Sequence, residues 1–351
     1  MYPKVSIVIL NWNGWKDTVE CLESLFQITY PNYNVIIADN GSEDDSIVKI
    51  QEWAEGQIQV ESKFVTYNKK EKPIKYIEYT REEAETGGGK EEVIEDIPSN
   101  QHFILIKNEK NYGFAEGNNI TIRYALKVLK PDYILLLNND VVVDKEFLNE
   151  LVKVAESSEK IGIVGAVNYF YDYPKKIRYS GGIMNWTKVN LTDITRNKID
   201  KEQFRKIRDV DEVAGSSLLI KVEVIYKIGL LYSDYFLFFE ETEWCVQAKK
   251  NNYAIYANLN SKIWHKGSAS TSTIPGVAQY YLTRNRFLFM KRNATNAQII
   301  SFLIYFLVIE VIYAMIHFLL FNRNVDSIKQ FYKGIYHGLG YFQKETVTSS
   351  F

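Results

Sequence analysis

The chain has 351 residues, of which 46% are hydrophobic and 24% are charged. This length suits one large globular domain or two smaller ones with a sizeable core. The 42 Lys and Arg residues nearly balance the 43 Asp and Glu residues, which leaves a net charge of -1. Nucleic-acid-binding proteins usually carry a basic field, so the balanced charge argues against nucleic acid as a partner.

The two cysteines, Cys21 and Cys245, fall in segments with helical spacing. They suggest neither a disulfide framework nor a metal site, and they fit a reducing cytoplasm. Met1 leads directly into a strand-like segment, without a basic region or a cleavage site. We therefore expect no signal peptide.

Strand-like and helical segments alternate along the first half of the chain. Continuous apolar runs predict strands at residues 5–10, 34–38, 103–106 and 133–137. Helical spacing and start signals predict helices at residues 15–28, 42–54 and 115–128. The alternation predicts a doubly wound α/β domain, in which ligands bind at the carboxyl ends of the strands.

The rest of the chain follows this rhythm less closely. Residues 57–101 are rich in Lys and Glu and show only weak alternation near 74–79. We interpret them as an insertion that forms a hairpin with a mobile tip. After residue 140 the pattern is mixed, with helices predicted near 145–157 and 241–251 and strands at 161–166 and 216–220.

Polar side chains follow two of the predicted strands. Asp39 and Asn40 follow the second strand, and Asn138, Asn139 and Asp140 follow the fourth. In a doubly wound sheet both ends face one crevice, where carboxylates and amides suit a ribose, a base edge and a hard cation. An acid at one strand end is often only a turn or a helix cap, so the argument depends on having two such ends.

Seven segments occur in one order along the chain: VSIVILNWNG, IIADNGSEDDS, NYGFAEGNN, YILLLNNDVVV, AGSSLLI, FFEETEWCVQAKKNNY and IWHKGS. Together they resemble the family-2 glycosyltransferases, in particular the rhamnosyltransferase-like branch. The resemblance covers about residues 3–292 apart from the insertion. It implies a GT-A fold, which is a Rossmann-like mixed sheet flanked by helices. It also implies inverting transfer from a nucleoside-diphosphate sugar to a hydroxyl, with a divalent cation.

The resemblance implies a metal site at the end of the fourth strand. Asn138-Asn139-Asp140 occupies the place of the family's Asp-x-Asp motif, with Asn in place of the first Asp. Asp140 is then expected to bind Mg²⁺ or Mn²⁺, which bridges the donor diphosphate. His265 is expected to be a second metal ligand. Asn138 is expected to hydrogen-bond the ribose or a metal-bound water.

The resemblance also implies a donor pocket. Asn11 and Asp39 are expected to form its nucleoside part, with Asn13 and Asn40 as neighbours. The segment 111–119 opens a helix, so it favours a nearby phosphate, although a tight strand-to-helix turn explains the same residues. The remaining donor-binding residues that we predict are Gly113, Asn118, Asn139, Gly215 and Arg284, and for Arg284 a surface salt bridge is the alternative.

Three acids, Glu240, Glu241 and Glu243, follow an aromatic run. An inverting transfer needs a carboxylate that takes the acceptor's proton, and an aromatic wall raises the pKa of such a group. The family assigns this base to the position of Glu241, and Glu240 is the alternative because Glu241 is longer than the usual Asp. The three acids also suit a helix N-terminus without any catalytic role. The Gly/Ser/Thr-rich stretch after His265 is interpreted as a lid.

Residues 299–321 form an apolar run about long enough to cross a bilayer, although Glu310 near its centre is costly in hydrocarbon. The segment that follows is amphipathic, with lysines among aromatic residues. We therefore predict a catalytic domain at 1–292 and a helical region at 293–351. That region is expected to hold the enzyme at the cytoplasmic face of the membrane, near a lipid-linked or cell-surface glycan acceptor. A core helix or a homo-oligomer contact is the alternative.

Two other functions compete with sugar transfer. A nucleotidyltransferase acting on sugar phosphates uses a similar sheet, but it needs a Gly-rich basic loop after the first strand, where NWNGWKD offers one glycine and one lysine. A noncatalytic nucleotide-sugar-binding protein is favoured only if Glu241 proves dispensable.

Overall fold

The computed structural model describes residues 2–200, 207–267, 276–320 and 325–343. Its strands are β1 Val5–Asn11, β2 Tyr33–Asp39, β3 Lys75–Thr80, β4 His102–Lys107, β5 Tyr133–Asn138, β6 Val141–Val143, β7 Ile161–Phe170, β8 Ile177–Tyr179, β9 Ile183–Asn185, β10 Asn190–Thr192, β11 Ile207–Asp209, β12 Ser217–Lys221 and β13 Ala254–His265.

The α-helices are α1 Trp15–Leu25, α2 Ser46–Ala54, α3 Arg81–Thr86, α4 Gly113–Tyr124, α5 Phe147–Ala155, α6 Val222–Ile228, α7 Glu240–Lys250, α8 Val277–Asn293, α9 Asn296–Tyr305, α10 Val311–Leu320 and α11 Val325–Gln343. Ala125–Leu129 extends α4 as a π-helix, and Phe306–Glu310 joins α9 to α10 in the same way.

One mixed sheet of eleven strands dominates the described part of the chain, in the order β11-β13-β7-β12-β5-β1-β2-β4-β3, with β6 and β8 paired at the side. β1 pairs in parallel with β2 and β5, and β4 continues the parallel set beyond β2. β12 runs antiparallel between β5 and β7. The predicted α/β mixed sheet is confirmed, and each predicted strand of the first half is present with one or two more residues.

Helices cover both faces of the sheet. Val5, Ile7 and Ile9 pack with α1, α2 and α5, whereas Val8 packs on the opposite face with α4, α6 and α7. This alternation is what a strand buried on both faces requires. The two free cysteines are buried in α1 and α7, as the helical spacing predicted.

The predicted hairpin in the insertion is wrong. β3 lies parallel to β4 at the sheet edge, and α3 follows it at once, so the segment crosses over the sheet instead of turning back. The start of the insertion is anchored by Lys72, whose Nζ lies 3.3 Å from Glu23 Oε2 and 3.4 Å from the Trp53 ring centroid. Both charged side chains are almost fully buried, so this ion pair fixes the insertion against α1 and α2.

The C-terminal helices share a core with the α/β domain. The Phe287 ring centroid in α8 lies 5.3 Å from that of Phe302 and 4.9 Å from that of Phe306. The same cluster includes Tyr235 and Val246 from the α/β domain. The predicted boundary at residue 292 therefore falls within one packed cluster, and a separate C-terminal unit stays a prediction.

The predicted apolar run forms a helix. Among the described residues, Asn296–Ile316 is the one helix that is long and apolar enough to cross a bilayer, by length and composition only. Phe302 and Phe306 are buried against the domain, whereas the other side of the helix exposes apolar side chains, including Ile300, Ile304, Leu307, Val308, Ile312 and Ile316. One face thus packs on protein, and the other carries an apolar stripe that none of the described residues covers.

Two glycines of α11 offer a matched test of this packing. A Cβ on Gly338 would meet Phe287 Cδ2 at 2.5 Å, whereas a Cβ on Gly340 would meet nothing within 4 Å. We expect Gly338→Ala to lower the free energy of unfolding by about 1–3 kcal/mol through overpacking. Gly340→Ala should raise it by up to about 1 kcal/mol through helix propensity. Equal effects in denaturant unfolding would contradict the packing of α11 on α8.

Candidate active site

The strand ends meet at one edge of the sheet. In the register of β1, Asn11 lies beside Asp39 of β2, and Leu10 lies beside Asn138 of β5. Asn11 Nδ2 donates to Asp39 Oδ2 at 2.7 Å, and Asn139 Nδ2 lies 3.4 Å from Asn11 Oδ1. The sequence-predicted polar row therefore forms one hydrogen-bonded edge.

Asp39 and Asn13 organise the loop after β2. Asp39 accepts hydrogen bonds from Ser42 N at 2.9 Å and from Ser42 Oγ at 2.7 Å. Asn13 Oδ1 accepts from Glu43 N at 2.8 Å. These bonds hold residues 42–45 in a turn, which is why α2 begins at Ser46 rather than at the predicted residue 42.

A cavity of about 600 Å³ opens in front of this edge. That volume is typical of sites that bind small molecules and cofactors. Nine of the predicted site residues line it: Asn40, Gly113, Asn138, Asn139, Asp140, Gly215, Glu240, Glu241 and His265. The other predicted residues, Asn11, Asn13, Asp39, Asn118 and Arg284, lie outside the lining.

Asp140 and His265 converge on one point of the cavity wall. β13 brings His265 beside Val141, and His265 Nε2 lies 3.1 Å from Asp140 Oδ1. Gly267 N donates to Asp140 Oδ2 at 3.0 Å. Burial would raise the pKa of Asp140, but the His265 contact and the Gly267 N–H outweigh it and lower that pKa. Asp140 is therefore a carboxylate at neutral pH, as a metal ligand must be.

A cation at this point would have few protein ligands. Among the described residues, no group of three or more His, Cys, Asp or Glu side chains has the arrangement of a metal site. Asn138 Oδ1, which is buried and accepts no hydrogen bond from the described residues, lines the same cavity. Two converging ligands and an amide oxygen fit a cation that completes its shell with substrate phosphates and water.

The helix after the predicted phosphate segment is fixed by Asn40 and Gly113. Asn40 Nδ2 donates to Asn111 Oδ1 at 3.0 Å and to Gly113 O at 3.2 Å. Gly113 has φ 79°, and a Cβ there would meet Phe236 Cδ2 at 2.5 Å, so only glycine fits. Asn118 instead donates to Phe114 O at 2.8 Å within α4.

Glu240 and Glu241 open α7 and line the same cavity. Burial, and then the negative charge of Glu241, raise the pKa of Glu240 well above its usual range. Burial also raises the pKa of Glu241, although backbone N–H groups, including that of Gly215, act against it. The Oε2 atom of each is enclosed and accepts no hydrogen bond from the described residues.

The third acid of the group points elsewhere. Tyr235 donates its hydroxyl to Glu243, and the Arg292 guanidinium lies 2.8 Å from Glu243 Oε1. Glu243 therefore holds α7 against α8 and takes no part in the cavity wall.

The loop before α7 has an uncommon backbone. Phe236, Phe238 and Phe239 have φ of 62°, 70° and 77°, a region that bulky residues rarely adopt. Asn285 of α8 is fully buried, and its Nδ2 lies 3.0, 2.8 and 2.9 Å from the carbonyls of Tyr235, Leu237 and Phe238. One amide of α8 thus fixes the strained turn that aims Glu240 and Glu241 at the cavity.

Comparison with known proteins decides the class. A family model described as glycosyltransferase like family 2 matches residues 85–286, and one described as glycosyl transferase family 2 matches residues 6–78. The chain belongs to glycosyltransferase family 2. It is therefore a glycosyltransferase of the nucleotide-sugar class, as the order of its motifs predicted.

Named relatives of this family 2 glycosyltransferase include the low-salt glycan biosynthesis hexosyltransferase Agl10 of Haloferax volcanii. That protein is 27% identical over 247 residues, which are 69% of this chain and 77% of the relative. The dTDP-rhamnosyl transferase RfbF of Shigella flexneri is 26% identical over 197 residues, which are 54% of this chain and 63% of the relative.

A solved mannosyltransferase of Pyrobaculum calidifontis, in complex with GDP-Man and Mn²⁺, is similar in fold. Its TM-score is 0.53 at 12% identity, over 99% of this chain and 77% of that one. GalNAc-T7 with UDP, GalNAc and Mn²⁺ has a TM-score of 0.51 at 13% identity, over 83% of this chain and 50% of that one. The predicted GT-A fold is confirmed.

Arg284 does not reach the cavity of this glycosyltransferase. It donates to the carbonyls of Asp234 and Tyr235, so it supports the strained turn from the same helix as Asn285. The surface salt bridge that we considered as the alternative is not formed within the described residues. Most of the stretch after His265 that is predicted as a lid, residues 266–276, lies outside the described residues, which omit 268–275.

Sequence reasoning missed three functional candidates. The sequence around Asn285 does not indicate its role, because its side chain binds backbone carbonyls that are far away in the chain. Glu212 is buried behind Glu241, accepts a hydrogen bond from the Tyr179 hydroxyl, and has its pKa raised to about 8 by burial and by the charge of Glu241. Arg178 lines the cavity from β8. This strand has only three residues in a polar stretch, so no apolar pattern predicts it.

Proposed function

We propose that this glycosyltransferase moves a hexosyl group from a nucleoside-diphosphate sugar to an acceptor hydroxyl, with inversion at the anomeric carbon. The observation that carries the proposal is the single cavity that joins Asp140 and His265 to Glu240 and Glu241. An inverting transfer needs the leaving diphosphate and the base on opposite sides of the anomeric carbon. This cavity holds one group of residues for each task.

In this proposal Asp140 and His265 hold the divalent cation, with Asn138 nearby as an oxygen donor. When bound, the cation would neutralise the negative charge of the diphosphate. Asn40, Gly113, Asn139 and Gly215 line the space that remains for the donor. Asn11, Asn13 and Asp39 do not line this space. They stabilise its surroundings, because their hydrogen bonds hold the sheet edge and the loop after β2 in place.

Glu241 is proposed as the base. The acceptor oxygen attacks the anomeric carbon, its proton passes to the Glu241 carboxylate, and the anomeric carbon–oxygen bond electrons go to the leaving phosphate. The pKa of Glu240 is also raised, first by burial and then by the negative charge of Glu241, so the two neighbouring carboxyl groups disfavour being charged together. A base with a raised pKa binds the proton more strongly than an ordinary carboxylate does.

The relatives support a donor class rather than one donor. The solved neighbours carry GDP-Man in one case and UDP with GalNAc in the other, and RfbF is named for dTDP-rhamnose. These ligands differ in base and sugar, but each case includes a nucleoside diphosphate, free or linked to a sugar. Agl10, the hexosyltransferase of glycan biosynthesis, supports a glycan acceptor. Family membership leaves the nucleotidyltransferase alternative without an observation in its favour.

We predict that Glu241→Gln retains donor binding and lowers transfer by about 10²- to 10⁴-fold, because it removes general-base catalysis. The donor is first found by thermal-shift screening of sugar nucleotides with Mn²⁺. Binding is then measured by calorimetry and transfer by nucleoside-diphosphate release.

The pH profile gives a second readout of the same variant. Burial raises the pKa of Glu241, so wild-type kcat/KM should fall with acidification at a higher pH than an exposed Glu would give. This limb should vanish in Glu241→Gln. Near-normal turnover, or a larger loss in Glu240→Gln than in Glu241→Gln, would remove Glu241 as the base and favour the alternatives.

We also propose that the exposed stripe of Asn296–Ile316 lies in the membrane interface rather than across the bilayer. Its opposite face packs along the domain, where Ser301 Oγ lies 3.2 Å from Thr187 Oγ1. Glu310 forms an ion pair with Arg286 of α8, so its negative charge is compensated by the protein and not left facing the lipid. A helix with one apolar face exposed over its length suits insertion parallel to the surface. Homo-oligomerisation through the same stripe is the alternative.

Two exposed valines in helical segments test this surface. Val308 lies on the stripe and is 55% exposed, and Val48 lies on α2 and is 52% exposed. Val308→Asp should weaken binding to anionic phospholipid vesicles by about tenfold or more, because it places a charge in the apolar layer. Val48→Asp should leave vesicle binding unchanged. Equal co-sedimentation of the two variants, or wild-type protein that stays in solution, would contradict the proposal.

A further inference from the structure

The donor cavity has one cation among its described lining residues, Arg178. It lies on β8, the short strand that pairs antiparallel with β7. Its guanidinium is half-buried, with the Phe170 ring centroid 5.5 Å from Cζ. It forms no ion pair with the described residues, and the charges that influence it at longer range are those of Asp140 and Arg196. A guanidinium with five donors and no anion is an open anion site.

Gly267 makes the room for this guanidinium. Gly267 has φ 77°, and a Cβ there would overlap the Arg178 guanidinium. Its N–H donates to Asp140 Oδ2 at 3.0 Å, so Arg178 lies beside the carboxylate that is proposed to hold the cation. Any side chain at this position would displace the Arg178 guanidinium from its present place.

The charges around Arg178 indicate which group of a ligand its guanidinium would bind. Asn138 stands where the family carries a carboxylate, so the site has one acidic metal ligand, Asp140, and a permanent cation close to it. A nucleoside diphosphate gains negative charge as it leaves, and a fixed guanidinium beside it stabilises that charge. The other strong acids of the cavity, Glu240 and Glu241, belong to α7.

We infer that Arg178 binds the diphosphate of the donor and stabilises it as the leaving group, together with the cation at Asp140 and His265. The inference rests on the proposed donor class. It assigns to this chain a leaving-group residue outside the family's motifs. It also predicts that part of the diphosphate affinity persists without metal, because the guanidinium is present in the protein itself.

The test measures nucleotide binding to the full chain by calorimetry, with UDP, GDP and dTDP and with the corresponding monophosphates, in Mn²⁺ and in EDTA. Arg178→Gln should weaken binding of the preferred diphosphate about tenfold or more in both conditions, since a charge-assisted hydrogen bond is lost. Binding of the monophosphate should change much less. Arg178→Lys keeps the charge but loses the planar fork, so it should recover part of the affinity.

Lys75→Gln is the control, because Lys75 is exposed at the start of β3, lies outside the cavity lining and loses the same unit of charge. It should bind as the wild type does. The inference is overturned if Arg178→Gln keeps the diphosphate affinity, or loses mono- and diphosphate equally, while the wild type binds a nucleoside diphosphate. If the wild type binds none of the three diphosphates, the proposed donor class fails, and the inference fails with it.

Discussion

Parallel pairing of β1 with β2 and β5 is the constraint on which the site depends. It aligns Asn11 with Asp39 and Leu10 with Asn138, so three strands deliver polar side chains to one edge. The strands are apolar because helices cover both faces of the sheet. Polar side chains that bind a ligand therefore follow the carboxyl ends of the strands, at this edge. β13 then brings His265 to Asp140 from the other half of the sheet.

The parallel half of the fold was predictable because its signals are local. Continuous apolar runs predicted the strands to within two residues, and helical spacing predicted the helices between them. The insertion was misjudged because weak alternation cannot distinguish an edge strand from one arm of a hairpin. β3 became a parallel edge strand because Ile77 and Tyr79 bury in the core beneath α4, a contact that no local pattern reveals.

The site was predictable in part. The strand ends and the acids of α7 were identified from motif order, and nine of the predicted residues line one cavity. The sequence does not reveal what fixes the position of Glu241. The turn at Phe236–Phe239, where three residues have positive φ, is held by the side-chain amide of Asn285 in α8. A single amide can hold such a turn because its carbonyls are enclosed and have to find a donor. Arg178 was not predicted because no fixed spacing in the sequence marks an arginine that binds an anion.

In the proposed function two groups of cavity residues divide the work, with diphosphate and cation at the sheet edge and proton transfer at α7. The most direct measurement is the anomalous Mn signal in a crystal of the full chain with Mn²⁺ and the nucleoside diphosphate that binds. The account predicts one Mn²⁺ at about 2.0–2.3 Å from an Asp140 carboxylate oxygen and from His265 Nε2. A nucleotide outside this cavity, or Mn²⁺ held by other residues, would contradict it.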